Sequence, residues 1–316
     1  MTDNQRFHEH IIISQVNILT WKINNNMDST SSNGNRYDVG QNSIWNGSAQ
    51  GYRNWWPHIE KAAQSLSNRL VELAEIRAGQ RILDIATGIG EPALTAARIV
   101  GSTGHVLAID ISTEMLAIAK QRSMYYGLQG TIEYKETSMQ NLMSPDLSFN
   151  SVLCRWGLMF LPNLYSTLVA IHRTLLPGGK FVAAVWADAQ KVPVISLAMQ
   201  IITESVQTTS ESFPCLPNPY ILSDENILAN HFIKAGFEDV RTERVTITFE
   251  FSSGHDYSQY CQAISASARV VLSNESDETR KLIWKNVADC ATLKYTNTNG
   301  TIRMDNECIC IVGTKF

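Results

Sequence analysis

The sequence predicts an α/β protein whose core is an open, doubly wound sheet of mostly parallel strands. Three observations carry that prediction. Arg81 to Thr95 reads RILDIATGIGEPALT, an apolar run of strand length, a tight Gly loop and the start of a helical pattern. Gly104 to Ser112 (GHVLAIDIS) is a second short apolar run closed by Asp110, followed by Met115, Leu116, Ile118 and Ala119 at helical spacing. Further strand-length runs at Thr131–Lys135, Ser151–Arg155 and Lys180–Trp186 alternate with helical segments, the pattern of successive βαβ units.

Taken in order, the chain begins with a stretch to about residue 43 that is expected to be poorly structured. Asn, Ser and Thr dominate Asn24 to Asn35, and the Ile11–Trp21 patch is given no chemistry. Residues 44–78 read as a helical cover. Leu66, Leu70, Leu73 and Ala74 have helical spacing, and Trp45, Tyr52, Trp55 and Trp56 precede them. The core is assigned to residues 79–187. Within it Met115–Tyr126 is a helix stopped at Gly127, and Leu164–Leu176 is a helix stopped by Pro177-Gly178-Gly179. Residues 188–316 add helices at Val192–Val206, Asp224–Ala235 and much of His255–Leu293, and long strands at Asp239–Phe251 and Thr301–Thr314. The Pro-rich Phe213–Tyr220 lies in a long connection of the kind that forms lids.

Composition limits the function. The 316 residues are 44% hydrophobic and 18% charged, enough for one sizeable core or a core with an added lobe. Net charge is −4 and Lys and Arg form no run, which argues against a nucleic-acid partner. Cys154, Cys215, Cys261, Cys290, Cys308 and Cys310 make no C-x-x-C pair, and no His cluster has ligand spacing. They read as reduced, mostly buried thiols of a cytoplasmic protein without a metal. No apolar segment reaches membrane-span length, and Ile11–Ile13 is broken by Ser14, Gln15 and Asn17, so it is no signal-peptide core.

The loop narrows the ligand. Gly88-Ile89-Gly90-Glu91-Pro92-Ala93 fits the dinucleotide pattern G-x-G-x-x-A, which would set a pyrophosphate on the helix start. Glu91 would repel a pyrophosphate there, and Asp84 stands inside the strand. A cationic ligand without phosphate, such as S-adenosylmethionine, reverses that preference, with Asp84 taking its ammonium directly or through water. Asp110, ending the second strand, is placed to accept both hydroxyls of a ribose. A helix N-cap is the other reading of Asp110, and Ser112 can share that task.

LDIATGIGEPAL, VLAIDISTEMLAIA, RWGLMFLPN and LLPGGKFVAAVW together resemble class I S-adenosylmethionine-dependent methyltransferases. The resemblance is to the branch that includes the ubiquinone/menaquinone-type enzymes and many natural-product methyltransferases. It implies a Rossmann-like seven-stranded sheet closed by an antiparallel pair of strands, here split by a helical insertion, with helical lids. It further implies a cofactor set of Tyr52, Asp84, Ala86, Thr87, Gly88, Gly90, Asp110, Ile111, Met115, Ser138, Met139, Arg155 and Trp156. Where the family often has Gly, this chain has Ala86, which still permits close approach. Where many relatives place Asp beside adenine, it has Ser138, whose hydroxyl would act with the Met139 N–H.

Methyl transfer is an in-line displacement, so positioning can supply ~7–11 kcal/mol and no universal catalytic residue is required. His58, His255 and Tyr52 are the candidate bases, because their segments are expected to cover the pocket. Trp45, Trp55, Met159 and Trp186 are the candidate acceptor contacts. The aromatic count around them favours a small aromatic or apolar acceptor in natural-product metabolism. A quinone-biosynthesis C-methyltransferase and a non-catalytic cofactor-binding regulator are the alternatives. A nicotinamide dehydrogenase is disfavoured by Asp84 and the later motifs.

Overall fold

A computed structural model describes residues 32–141, 148–161, 163–206 and 218–316. The Ile11–Trp21 patch, Cys215 and most of Phe213–Tyr220 lie outside the described residues. Residues 36–316 form one compact unit.

Helix α1 (Ser32–Leu73) leads into β1 (Arg81–Ile85), α2 (Ala93–Val100), β2 (His105–Asp110), α3 (Thr113–Tyr125) and β3 (Ile132–Glu136). Then come β4 (Phe149–Arg155), α4 (Leu164–Thr174), β5 (Leu175–Trp186), α5 (Pro193–Ser205) and α6 (Glu225–Lys234). The chain closes with β6 (Glu238–Phe251), α7 (Gly254–Ile264), α8 (Ala266–Val271), α9 (Asp277–Tyr295) and β7 (Ile302–Thr314).

The described strands make a seven-stranded sheet in the order β3-β2-β1-β4-β5-β7-β6. Strands β1 to β5 run parallel, and β7 lies antiparallel between β5 and β6. The order reverses direction between β1 and β4, and ligands bind open α/β sheets outside the strand C-termini at such a reversal. Helices α7 to α9 interrupt the β6–β7 pair, as the helical reading of His255–Leu293 expected.

Two elements differ from expectation. The stretch expected to be loose up to residue 43 is helical from Ser32. The helix expected to run to Leu176 stops at Thr174, and Leu175 already pairs with Phe149 of β4. Pro177-Gly178-Gly179 therefore bulges inside β5. The Gly178 N–H donates to the Lys315 carbonyl, and the Lys315 N–H to that of Gly179, so the bulge is paired with the chain end.

Burial explains α1. Ile59, Ala62, Ala63, Leu66 and Leu70 recur at three- and four-residue steps and are each at most 7% exposed, which lays one helical stripe on the core. The earlier half of α1 also meets the insertion. A Cβ at Gly51 would stand 2.0 Å from the Ala263 carbonyl oxygen on α7, so only Gly permits that approach. The Arg269 guanidinium on α8 donates to Ser48 Oγ at 2.5 Å beside it. Gly51→Val should lower stability by roughly 1–3 kcal/mol, the usual cost of overpacking. An unchanged midpoint in urea unfolding would contradict that contact.

Candidate functional site

A cavity of about 280 Å³ opens beyond the C-terminal ends of β1, β2, β4 and β5. The chain after β1 forms one wall with Ala86, Thr87, Gly88, Ile89 and Glu91. Three backbone features shape it. Gly88 has φ +54°, and a Cβ there would meet nothing within 4 Å, so the loop is left open toward a ligand. Ala86 and Trp156 have φ of +55° and +59°, a sparsely populated region that non-Gly residues hold mainly at functional sites. Gly157 admits the close crossing of the two strand ends, since a Cβ there would lie 2.5 Å from that of Ala86.

Asp110 orders the next wall. It is 9% exposed; Oδ2 accepts from the Gly88 N–H at 2.8 Å and Oδ1 from the Ser112 N–H at 2.9 Å. Burial pushes its carboxyl above the usual range, against the pull of the Ser112, Gly88 and Ile111 amides. Each oxygen keeps a lone pair for a further donor. Ser112 Oγ caps α3 by accepting from the Met115 N–H at 3.1 Å, and donates to Asn46 Oδ1 of α1 at 2.6 Å. The helix-cap reading thus belongs to Ser112, with Asp110 holding it. Ile111, Met115, Thr137, Ser138 and Met139 continue this wall. Ser138 Oγ is buried without a partner, an unsatisfied hydroxyl beside a fixed carboxylate, while the Thr87 hydroxyl lies against the buried Asp84.

The far wall is apolar and aromatic. Trp156 and Trp186 stack with ring centres 4.3 Å apart and planes at 12°. Trp45 packs on Phe160 at 5.3 Å and donates from Nε1 to Gln41 Oε1 at 3.1 Å. Arg155 is 8% exposed; one guanidinium nitrogen donates to Ser67 Oγ at 2.7 Å, and the group lies 4.9 Å over the Trp156 ring. Tyr52, Phe249, Tyr260, Cys261 and Ile264 also line this side. Burial raises the Tyr52 phenol, partly offset by Arg155 and then Arg269. It raises Tyr260 well above its usual value and Cys261 to about 12.

Most of the expected site set lines this cavity: Trp45, Tyr52, Ala86, Thr87, Gly88, Asp110, Ile111, Met115, Ser138, Met139, Arg155, Trp156 and Trp186. Six residues do not. Asp84 is fully buried and accepts from the Ala93 N–H at 3.0 Å, which places it beneath α2. Gly90 (φ +106°) faces Leu94 and Ala119, so it serves packing. Met159 is core. Trp55 packs edge-on against His58 and Tyr260 at 5.4 Å. The His58 ring is stacked on Phe251 and bound through Nε2 to the Glu250 carbonyl. His255 is exposed at the start of α7. Neither histidine is therefore a base in this cavity.

The sequence reading missed the α5 and α7 contributions, Val194, Ile195, Ala198, Tyr260, Cys261 and Ile264. No motif marks them. Ile59 was missed although its spacing from Trp45 and Tyr52, fourteen and seven residues, was readable.

Residues 64–250 match the ubiE/COQ5 methyltransferase family. The chain belongs to that family. Over 190 residues it is 30% identical to the ubiquinone/menaquinone biosynthesis C-methyltransferase UbiE of Pseudomonas putida, covering 56% of this chain and 72% of that protein. Among solved structures it is similar to the YcgJ protein of Bacillus subtilis, with a TM-score of 0.52 and 18% identity over 79% of this chain and 97% of that one. It is also similar to Haemonchus contortus phosphoethanolamine N-methyltransferase 2, crystallised with phosphomonomethylethanolamine and S-adenosylhomocysteine. That match has a TM-score of 0.50 and 20% identity over 79% of this chain and 52% of that one. These two likenesses are of fold. The methyltransferase uses S-adenosylmethionine, and the cavity fits that cofactor through the Gly loop, the oriented Asp110 and the unpartnered Ser138 hydroxyl. Among the described residues no helix is long and apolar enough to cross a membrane.

The buried Asp84 makes the stability of the methyltransferase depend on pH. Burial pushes its carboxyl up to about 7, against about 3.9 in an unfolded chain. The folded state then binds more protons than the unfolded state between those values, so stability falls as pH rises through them. This contribution is full below about pH 4 and lost above about pH 7. Asn at this position still accepts from Ala93 and does not titrate. In urea unfolding, Asp84→Asn should gain on the parent as pH is raised from 5 to 8. A difference between the two proteins that stays constant with pH would contradict this.

Proposed function

We propose that the methyltransferase places the methyl group on a carbon of an electron-rich, hydroxylated aromatic ring that carries apolar substituents. One observation carries the reading. On the acceptor side, among the described residues, the titratable neutral groups are Tyr52, Tyr260 and Cys261, and burial keeps all three protonated at neutral pH. A wall without a ready base suits an acceptor whose carbon already holds the electron density: the methyl leaves sulfur for that carbon, and the ring-carbon proton, acidic in the cationic adduct, then passes to water. It serves poorly an alcohol or ammonium that must first lose a proton. The curated relatives are named as C-methyltransferases of quinone biosynthesis, which supports the same class. The natural-product expectation rested on the aromatic lining, and that lining suits a quinol-type ring equally well. Membership in a methyltransferase family removes the ground for the non-catalytic and dehydrogenase readings.

Residue roles follow from position. S-adenosylmethionine supplies a methyl group activated by its sulfonium. Asp110 accepts from the ribose hydroxyls, and Ser138 and the Met139 N–H meet the adenine edge between Ile111 and Met115. Thr87 and Gly88 let the methionyl chain pass, while Arg155 and the Tyr52 hydroxyl receive its carboxylate. Trp156 and Trp186 form a rigid aromatic wall beside the reacting carbon, attracted to the cation by their ring faces. Trp45, Phe160 and Ile264 hold the acceptor ring and exclude water. In this proposal residues 44–78 are the cover, 79–187 the cofactor core and 188–316 the lids with the closing strands, in a cytoplasmic enzyme.

Methyl-¹³C S-adenosylmethionine, incubated with the protein and a matched set of quinols, simple phenols and aryl amines, tests this. Product NMR should show the label bonded to ring carbon of a quinol-type acceptor. A label found only on oxygen or nitrogen would contradict the proposal.

A further inference from the structure

Glu91 is a buried charge on the cavity wall to which the roles above give no task. It is 3% exposed. Oε2 accepts from Thr95 Oγ1 at 2.6 Å. Oε1 is buried with no hydrogen-bond partner, and the nearest guanidinium nitrogen, from the half-exposed Arg98 of α2, is 4.0 Å away. This carboxyl is therefore only half satisfied, at the point where the Gly loop meets the cavity.

Its surroundings are charged on every side. Glu60 of α1 pairs with the buried Arg122 of α3 at 2.9 Å. Arg122 also donates to the Ile89 carbonyl at 2.7 Å and lies over the Trp56 ring at 4.7 Å, so it is committed elsewhere. Arg155 lies at the end of β4, Asp84 beneath the loop and Tyr134 on β3, all close enough to feel the same charge. Burial, followed by the Glu60 charge, pushes the Glu91 carboxyl above its usual range, while Arg155, Thr95 and Arg122 draw it down.

We propose that Glu91, and not Asp84, receives the methionyl ammonium of S-adenosylmethionine. Each carboxyl has one oxygen held and one without a partner, but Asp84 is sealed beneath α2 and does not line the cavity, whereas Glu91 does. An ammonium against Oε1 supplies the donor that the fold leaves out. It also offsets the repulsion from Glu60, so the ionised carboxylate and the bound cation stabilise each other. The inference rests on the cofactor alone and is independent of which acceptor is methylated.

Titration calorimetry on the full chain tests it, using S-adenosylmethionine and 5′-methylthioadenosine at pH 8. The variant Glu91→Gln keeps the shape of the side chain and removes its charge. At pH 8 the variant should bind S-adenosylmethionine about tenfold or more weakly, the usual scale for one lost charge-assisted hydrogen bond. 5′-Methylthioadenosine keeps the adenosine half and lacks the amino acid, so it should bind both proteins equally. Unchanged S-adenosylmethionine affinity in the variant would overturn the proposal. So would equal losses for both ligands, which would mean that Glu91 only shapes the loop.

Discussion

The Asp110 carboxylate is the constraint on which the rest of the site depends. A carboxylate this deeply buried is costly unless it is hydrogen-bonded, and the chain satisfies it with two backbone amides from different segments. One belongs to Gly88 in the loop after β1, the other to Ser112 at the head of α3. The single side chain thereby sets the loop against the end of β2 and fixes the cap of α3. Ser112 passes the constraint on to Asn46, and so to the cavity-lining half of α1. Loss of Asp110 would free two amides as well as a ligand-facing carboxylate, so loop position and ligand binding are inseparable there.

That half of α1 also joins the two ends of the cavity. Near Asp110 it is held by Asn42, whose side-chain amide donates to the Ile111 carbonyl at 2.5 Å, and by Asn46. Near the acceptor wall it is held by Ser48 and by the close passage of Gly51 over Ala263. Between these points it contributes Gln41, Trp45 and Tyr52 to the lining. The family core and the insertion between β6 and β7 are thus bridged by one helix. The acceptor wall is built largely from segments that the cofactor motifs do not include.

The contrast explains what could be read beforehand. The loop and Asp110 were legible because close backbone approach and a strand-ending acid are local patterns. Asp84 was misplaced because the sequence shows an acid within a strand but not that the Ala93 amide, nine residues on, would claim its oxygen. On α1 the answer was present in the helical period. At 100° per residue, Trp45, Tyr52 and Ile59 lie on one line, Trp55 falls about 60° away from Tyr52 and His58 about 120° away. That spacing separates the lining residues from the packed ones. The α7 contacts, Tyr260, Cys261 and Ile264, had no comparable signal, since their position depends on how a distant insertion folds back. Leu175 was taken for helix because Pro177-Gly178-Gly179 reads as a stop, whereas the chain end supplies partners that keep the strand going.

The central claim is that one oriented carboxylate, Asp110, organises the cofactor wall and takes the ribose. A crystal structure of the protein with S-adenosylhomocysteine tests it most directly. The account predicts both ribose hydroxyls within hydrogen-bonding distance of the Asp110 carboxylate while the Gly88 and Ser112 amides still donate to it, with the adenine edge beside Ser138 and Met139. A ribose bound elsewhere, with Asp110 holding only its two amides, would contradict it.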